Sequence, residues 1–432
     1  MPYTFRRVYW SSERAFVFAT AAAAVGLGNI WRFPYLAGEN GGGAFIIAYI
    51  IAVITMGVPL MVLEISAGRA ERGSPIRTFR KIMNKAAVVG WLVVLLTLII
   101  MSYYLVVTGW TLGFAVESFK GELPTFSEFT SGYASLWYFF IIVAITSFVV
   151  ARGVKMIEWL SKIMMPALIA VIVLLTVYSL TLEGRGEALS FLFNPNFSDF
   201  LNPTIWLLAF GQAFYSLAVG QGYLITYGSF MKKGTNLPRS AGWVAGIETS
   251  IALIAGLMLF PIVFTFGLNP AEGTELAFTT LPYAFKIIPL GAFVAVLFFC
   301  LFFLAAISSC IAGMQVVKTA VREEFGLSQV KATAVSFAPL IPLGTLAALS
   351  FTPVELSMVG RPFLEILDMF AANQIVVTSG IVGGAIISWS ISKSDLIDGF
   401  GTEWKKVASV TVTVVRYLPI PVSVLLILAW IF

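Results

Sequence analysis

Histidine is absent from this chain of 432 residues, charged residues make up only 11% of it, and the two cysteines are Cys300 and Cys310. Without histidine there is no imidazole acid–base relay, no histidine metal ligand and no side chain whose ordinary titration falls near neutral pH. The cysteines sit in one apolar run and read as buried thiols, not as a disulfide framework. No Walker sequence occurs, so ATP hydrolysis is not the expected energy source. A soluble domain carries about 25% charged residues, so a water-soluble enzyme is excluded. No nucleophile–base pair or metal cluster stands out, and neither an enzyme nor a nucleic-acid partner is expected.

What is present is apolar residue, 59% of the chain. A span takes about 20 such residues, and the length allows an all-α polytopic membrane protein. Uncharged runs place spans at about 15–38, 41–67, 86–116, 129–151, 163–182, 200–231, 240–268, 287–317, 332–354, 369–392 and 410–431, eleven in all. The N-terminal segment has no clean cleavage site and is not read as a signal peptide. Basic residues set the orientation. All 27 Lys and Arg except Arg32, Lys120, Arg185, Lys286 and Arg361 fall in the N-terminal segment or in loops on one side. By the positive-inside rule that side is cytoplasmic, which puts the N-terminus inside and the C-terminus outside a cell membrane.

The first span reads AAAAVGLGNIWRFPY and the sixth GQAFYSLAVGQGYLITY, and both carry AVGxG mid-membrane, at residues 24–28 and 218–222. A helix broken in lipid frees carbonyls and amides that need partners. Freed carbonyls suit a cation, and the N-terminal end of a half-helix suits a carboxylate. Matching breaks five spans apart point to an inverted-repeat transporter with its site at the midplane. Gly26-x-Gly28 is no dinucleotide fingerprint, since Trp31 stands where the third glycine belongs.

The string AVGLGNIWRFPYLAGENGGGAF resembles the signature of the neurotransmitter:sodium symporter family, in its bacterial amino-acid branch, and the resemblance runs from about Trp10 to the tenth span. It implies a ten-helix core of two inverted five-helix repeats (1–183 and 200–392), broken first and sixth helices, and an additional eleventh helix (405–432) where many relatives have twelve. It implies two sodium ions beside the substrate. The first sodium site would use Ala24, Asn29, Ser216 and Glu248 with the substrate carboxylate. The second would use Ala22, Val25, Ala305, Ser308 and Ser309. Oxygen ligands suit a hard cation. Substrate would lie among Ala24, Gly26, Gly28, Ile100, Tyr104, Tyr215, Ser216, Ala218, Gln221, Ser309 and Gly313. Gly26 stands where amine transporters of the family carry aspartate, which leaves room for an α-carboxylate that the Tyr104 hydroxyl would bind. Gly313 replaces a large aliphatic residue, so a hydrophobic or aromatic amino acid is expected, with small neutral amino acids as the alternative if the pocket is filled from elsewhere. Arg32 and Asp368 would form the outer gate, over a lid of Tyr104 and Tyr215. Arg7, Glu323 and Trp10 would form the inner gate.

Two departures from the family pattern sharpen these expectations. Tyr49, Gln212 and Ser216 match the residues that hold chloride in chloride-dependent members, but Glu248 takes the asparagine position and Ala252 a position acidic in the leucine transporter. Glu248 is therefore expected to supply the negative charge itself and remove the need for chloride. Met156 stands where many bacterial members have a glycine separated by nine residues from a proline, here Pro166. Gly153 is the nearest substitute as a point of unwinding. Glu64 is read as a partner for amides freed at the sixth-helix break. The expected activity is sodium-coupled symport by alternating access. Proton coupling through Glu248 or Glu64 and a transport-inactive amino-acid sensor are the competing readings. The expected partners are the amino acid, sodium ions and the lipid bilayer.

Overall fold

The computed structural model describes residues 8–232, 234–270, 277–390 and 405–417. Arg7 and the eleventh span beyond Tyr417 lie outside the described residues. In a bilayer the backbone must satisfy its own hydrogen bonds, and a long apolar run does so as a helix. Among the described residues eight helices are long and apolar enough to cross a membrane. A ninth span is a bent pair, Glu13–Ala24 and Gly28–Glu39, whose halves meet at 55°. The sixth span is also split, into Pro203–Ser216 and Tyr223–Gly228. A further helix spans Lys405–Tyr417.

Several expected boundaries move. The fourth span starts at Ala134, because Phe126–Thr130 is a helix of its own, opened by a Thr125–Glu128 capping box. The fifth starts at Val154, nine residues earlier than the apolar run suggests. Its first turns carry Lys155, Glu158 and Lys162, which interrupt the run, yet Glu158 is buried at 8% exposure. The eighth extends as far as Phe325.

Gly153 lies between the fourth and fifth helices, not inside the fifth. Its φ of +77° is a left-handed setting that favours glycine. Lys318, buried in the eighth helix, braces this junction by donating to the Val150 carbonyl at 3.2 Å and to Gln329 Oε1 at 2.6 Å. Met156 lies in the first turn of the fifth helix, and its N–H donates to the Gly153 carbonyl at 3.0 Å. Gly153, the nearest substitute for the missing glycine, therefore stands at a junction ahead of the fifth helix.

The third and eighth helices, 34 and 35 residues long, run together through the molecule and flank the two breaks. The second and sixth helices meet backbone to backbone through Gly68 and Gly228. A Cβ at Gly228 would stand 2.5 Å from the Ile65 carbonyl oxygen, a close approach typical of small residues between membrane helices. Large apolar side chains such as Leu92, Phe148, Trp159 and Val177 are exposed on the outside, where lipid would meet them.

Candidate functional site

At both breaks several of the freed backbone groups have partners. In the sixth helix residues 217–222 leave the helix, with Ala218 at φ +55° and Gly220 and Gly222 at +77° and +76°. Glu64 Oε1 accepts the Gly220 N–H at 2.8 Å, the pairing read from the sequence. Ser379 Oγ donates to the Gly220 carbonyl at 2.6 Å and Thr97 Oγ1 to the Gln221 carbonyl at 2.7 Å. The Gln221 amide, for which the sequence suggested no role, donates to the Tyr215 carbonyl at 3.3 Å. In the first helix the Gly26 N–H donates to Asn29 Oδ1 at 3.2 Å, and Gln212 Nε2 donates to the Gly28 carbonyl at 2.7 Å.

Asn29, Tyr49, Ser216 and Glu248 come from four helices and converge in a buried cluster. Asn29 Nδ2 donates to Glu248 Oε1. The Tyr49 hydroxyl is 3.0 and 3.1 Å from the two Glu248 oxygens and 3.1 Å from Ser216 Oγ. Thr249 Oγ1 donates to Glu248 Oε2 at 3.1 Å. This carboxylate is thus the centre of a hydrogen-bonded group and not a stray core charge. Gln212 stands apart from it: its Oε1 accepts from Arg32 Nη1 at 2.8 Å.

A second oxygen group forms where the eighth helix passes the first break. Ser308 Oγ donates to the Ala305 carbonyl at 2.9 Å. Ser309 Oγ lies 3.1 Å from the Ala23 carbonyl oxygen and 3.4 Å from those of Val25 and Ala305. Ala22 lies in the last turn before the break, which ends at Ala24. Hydroxyls beside freed carbonyls are the donor chemistry a sodium ion accepts.

Between the two groups is a cavity of about 20 Å³, room for about one water. Ala24, Gly26, Gly28, Ile100, Tyr104, Tyr215, Ser216, Ala218, Gln221 and Ser309 all line it. Gly313 does not, and the enlargement expected there is a correction. A Cβ on Gly313 would stand 2.5 Å from both Met101 Sδ and the Tyr223 hydroxyl, which occupy the space. Gly26 has no room to spare: a Cβ would collide with the Tyr104 hydroxyl and lie 2.5 Å from Ser309 Oγ. The Tyr104 hydroxyl accepts the Leu27 N–H at 2.8 Å, which leaves its own proton to donate.

Above the cavity is a vestibule of about 520 Å³ lined by Trp31, Arg32, Tyr35, Phe126, Phe278 and Asp368, among others. Gly28, Tyr104 and Tyr215 line both spaces and so form the floor between them. Arg32 lies over the Tyr215 ring at 5.1 Å. Arg32 and Asp368 both line the vestibule. This side is open.

The opposite side is shut. Trp10 is buried and its Nε1 donates to the Tyr227 carbonyl at 3.0 Å. Glu323 Oε2 accepts the Ser74 N–H at 2.8 Å, while its expected partner Arg7 is outside the described residues. A latch the sequence did not suggest lies beside it. Glu158 accepts the Ser11 N–H at 3.0 Å and the Ser11 hydroxyl, and pairs with Lys162 at 2.6 Å. Lys232 Nζ donates to the Ser11 carbonyl at 3.1 Å. Hydrogen bonds to charged groups contribute about 1.5–3 kcal/mol each. Glu158→Gln is therefore expected to speed amide hydrogen exchange around Ser11 by about tenfold or more, and unchanged exchange would show that the latch is held elsewhere.

The profile of the sodium:neurotransmitter symporter family matches residues 7–134 and 128–429. A protein of Bacillus subtilis described as a sodium-dependent transporter is 35% identical over 404 residues, covering 90% of this chain and 89% of its own. A sodium-dependent transporter of Haemophilus influenzae is 31% identical, with 90% of each chain covered. The crystal structure of MhsT in complex with L-phenylalanine superposes with a TM-score of 0.88 at 32% identity, covering 98% of this chain and 99% of that one. The paired breaks, the oxygen groups beside them and these likenesses agree: the chain belongs to the sodium:neurotransmitter symporter family.

Proposed function

We propose that the protein is a chloride-independent, two-sodium symporter of neutral amino acids that works by alternating access in a cell membrane, with its N-terminus cytoplasmic. The observation that carries this reading is the corner made by Gly26, Tyr104 and Asn29. Gly26 presents bare backbone, Tyr104 has a hydroxyl proton to give, and Asn29 leads into the Glu248 cluster. An α-carboxylate entering this corner accepts from Tyr104 and shares a sodium ion with Ala24, Asn29, Ser216 and Glu248. The second ion sits with Ala22, Val25, Ala305, Ser308 and Ser309 and ties the first helix to the eighth. Filling both groups draws the Arg32–Asp368 side together over Tyr104 and Tyr215. Release then requires Trp10 and the Ser11–Glu158 latch to open.

The phenylalanine bound by MhsT supports a hydrophobic or aromatic side chain. The small cavity and the filled space at Gly313 support the compact alternative. Glu64 is held by the Gly220 N–H at the break, which supports a structural pairing over a proton-carrying role.

The test is amino-acid uptake into proteoliposomes with choline in place of sodium. Uptake is expected to fall to background without sodium. Uptake that persists in choline and follows a pH gradient would establish proton coupling instead. Sodium-dependent binding without counterflow would identify a sensor.

A further inference from the structure

The far wall of the central cavity is built differently from what Gly313 alone suggests. Gly222, at φ +76°, turns the chain so that Tyr223 opens the second half of the sixth helix. The Tyr223 ring is buried and its hydroxyl ends where a side chain on Gly313 would begin, 2.5 Å from that missing Cβ. Met101, from the third helix, fills the other side of the same space. Bulk absent from the eighth helix is therefore replaced from the sixth and third. The two substitutes are unlike. Met101 has three rotatable bonds and a yielding thioether, whereas an aromatic ring at a helix start is a stiff wall. The wall also ends in a polar atom. The nearest partners of the Tyr223 hydroxyl are the Ser309 carbonyl at 3.5 Å and Met101 Sδ at 3.9 Å, both long for a hydrogen bond. A buried hydroxyl so weakly engaged has capacity left for a polar atom in the cavity it lines.

We infer that Tyr223 is the specificity-determining residue of this site, limiting the substrate to a compact side chain of the size of alanine or serine and favouring one that carries a hydroxyl. The inference rests on the neutral amino-acid symporter reading and chooses its substrate class. The α-carboxylate is fixed at Gly26 and Tyr104, so side-chain length is measured against the Tyr223–Met101 wall. A longer aliphatic or aromatic chain has to displace the ring. Glycine at 313 is then a requirement of Tyr223, because the two positions share one volume.

The experiment measures direct binding of alanine, serine, leucine and phenylalanine to the full chain, each in sodium and in choline. The natural protein is expected to bind alanine and serine at least tenfold more tightly than leucine and phenylalanine, within the about 10- to 200-fold that one methylene is worth in a pocket. Tyr223→Ala should shift the leucine-to-alanine ratio by tenfold or more toward leucine. Tyr223→Phe should keep the preference for small side chains and narrow the advantage of serine over alanine. Gly313→Ala should weaken all four ligands, and recover when combined with Tyr223→Ala. Tighter binding of leucine or phenylalanine than alanine by the natural protein overturns the inference, as does an unchanged ratio in a folded Tyr223→Ala variant. If that variant does not fold, the ranking in the natural protein and the serine-to-alanine ratio in Tyr223→Phe decide. Failure of the natural protein to bind any of the four in sodium would instead overturn the symporter reading itself.

Discussion

Glu248→Asn is expected to make transport conditional on chloride. In gluconate the variant should lose uptake by about a hundredfold, and adding chloride should restore a substantial part of it, while the natural protein transports equally in both. The reasoning is electrostatic. A sodium ion beside the first break needs a nearby negative charge, and the substrate carboxylate alone leaves the second cation uncompensated. Glu248 is fully buried and receives hydrogen bonds from Asn29, Tyr49 and Thr249. Removing one partner of a buried charge pair costs about 3–5 kcal/mol, and about 1.4 kcal/mol is tenfold. Asparagine keeps one acceptor oxygen, replaces the other with an NH2 donor that can face an anion, and removes the charge. Tyr49 and Ser216 then remain 3.1 Å apart with hydroxyls able to turn toward an anion. Unaltered uptake in gluconate by the Asn variant would mean that the fixed charge lies elsewhere.

Gly26→Ala should abolish sodium-dependent substrate binding, a loss of at least a hundredfold. The added Cβ strikes the Tyr104 hydroxyl and crowds Ser309 Oγ. One methyl thereby disturbs the carboxylate donor and the hydroxyl of the second sodium group together. Larger residues should be no more permissive, so Gly26→Asp would not convert this protein to an amine carrier on its own. Binding of any amino acid by Gly26→Ala within tenfold of the natural protein would show that the carboxylate sits away from this corner. Calorimetric titration in sodium measures the loss.

Much of this architecture can be read from the residues because lipid is a demanding solvent. A chain that cannot leave backbone groups bare must write its spans as long apolar runs, and must mark its breaks with glycine. Asn29, Ser216 and Glu248 were legible through the resemblance to the symporter family, and their polarity inside apolar spans agrees with it. The Ser11–Glu158 latch was not, because Glu158 sits among lysines at a helix end and looks like ordinary solvated charge. Arg32 and Asp368 were legible as vestibule residues, but the contact of Arg32 with Gln212 was not, because it joins two spans far apart in sequence. The pocket wall was misread at Gly313 because volume in a packed interior is shared. The residue that fills it, Tyr223, is distant in sequence and looks like any aromatic in an apolar run. Helical periodicity also hid the wide turns Gly28–Arg32, Val53–Gly57 and Met369–Ile375, which leave composition unchanged.

The break at residues 217–222 has a thermodynamic corollary. Ala218 already holds a left-handed backbone, and Glu64, Ser379 and Thr97 already hold the freed peptide groups. The cost of interrupting the helix is met when the protein folds, not when substrate arrives. Arriving ligand therefore has no helix to melt, and the free energy of its contacts remains available to move the gates. Such a carrier should show a small heat-capacity change for occupancy of the open state and a larger one for closure, when the aromatic vestibule loses its water.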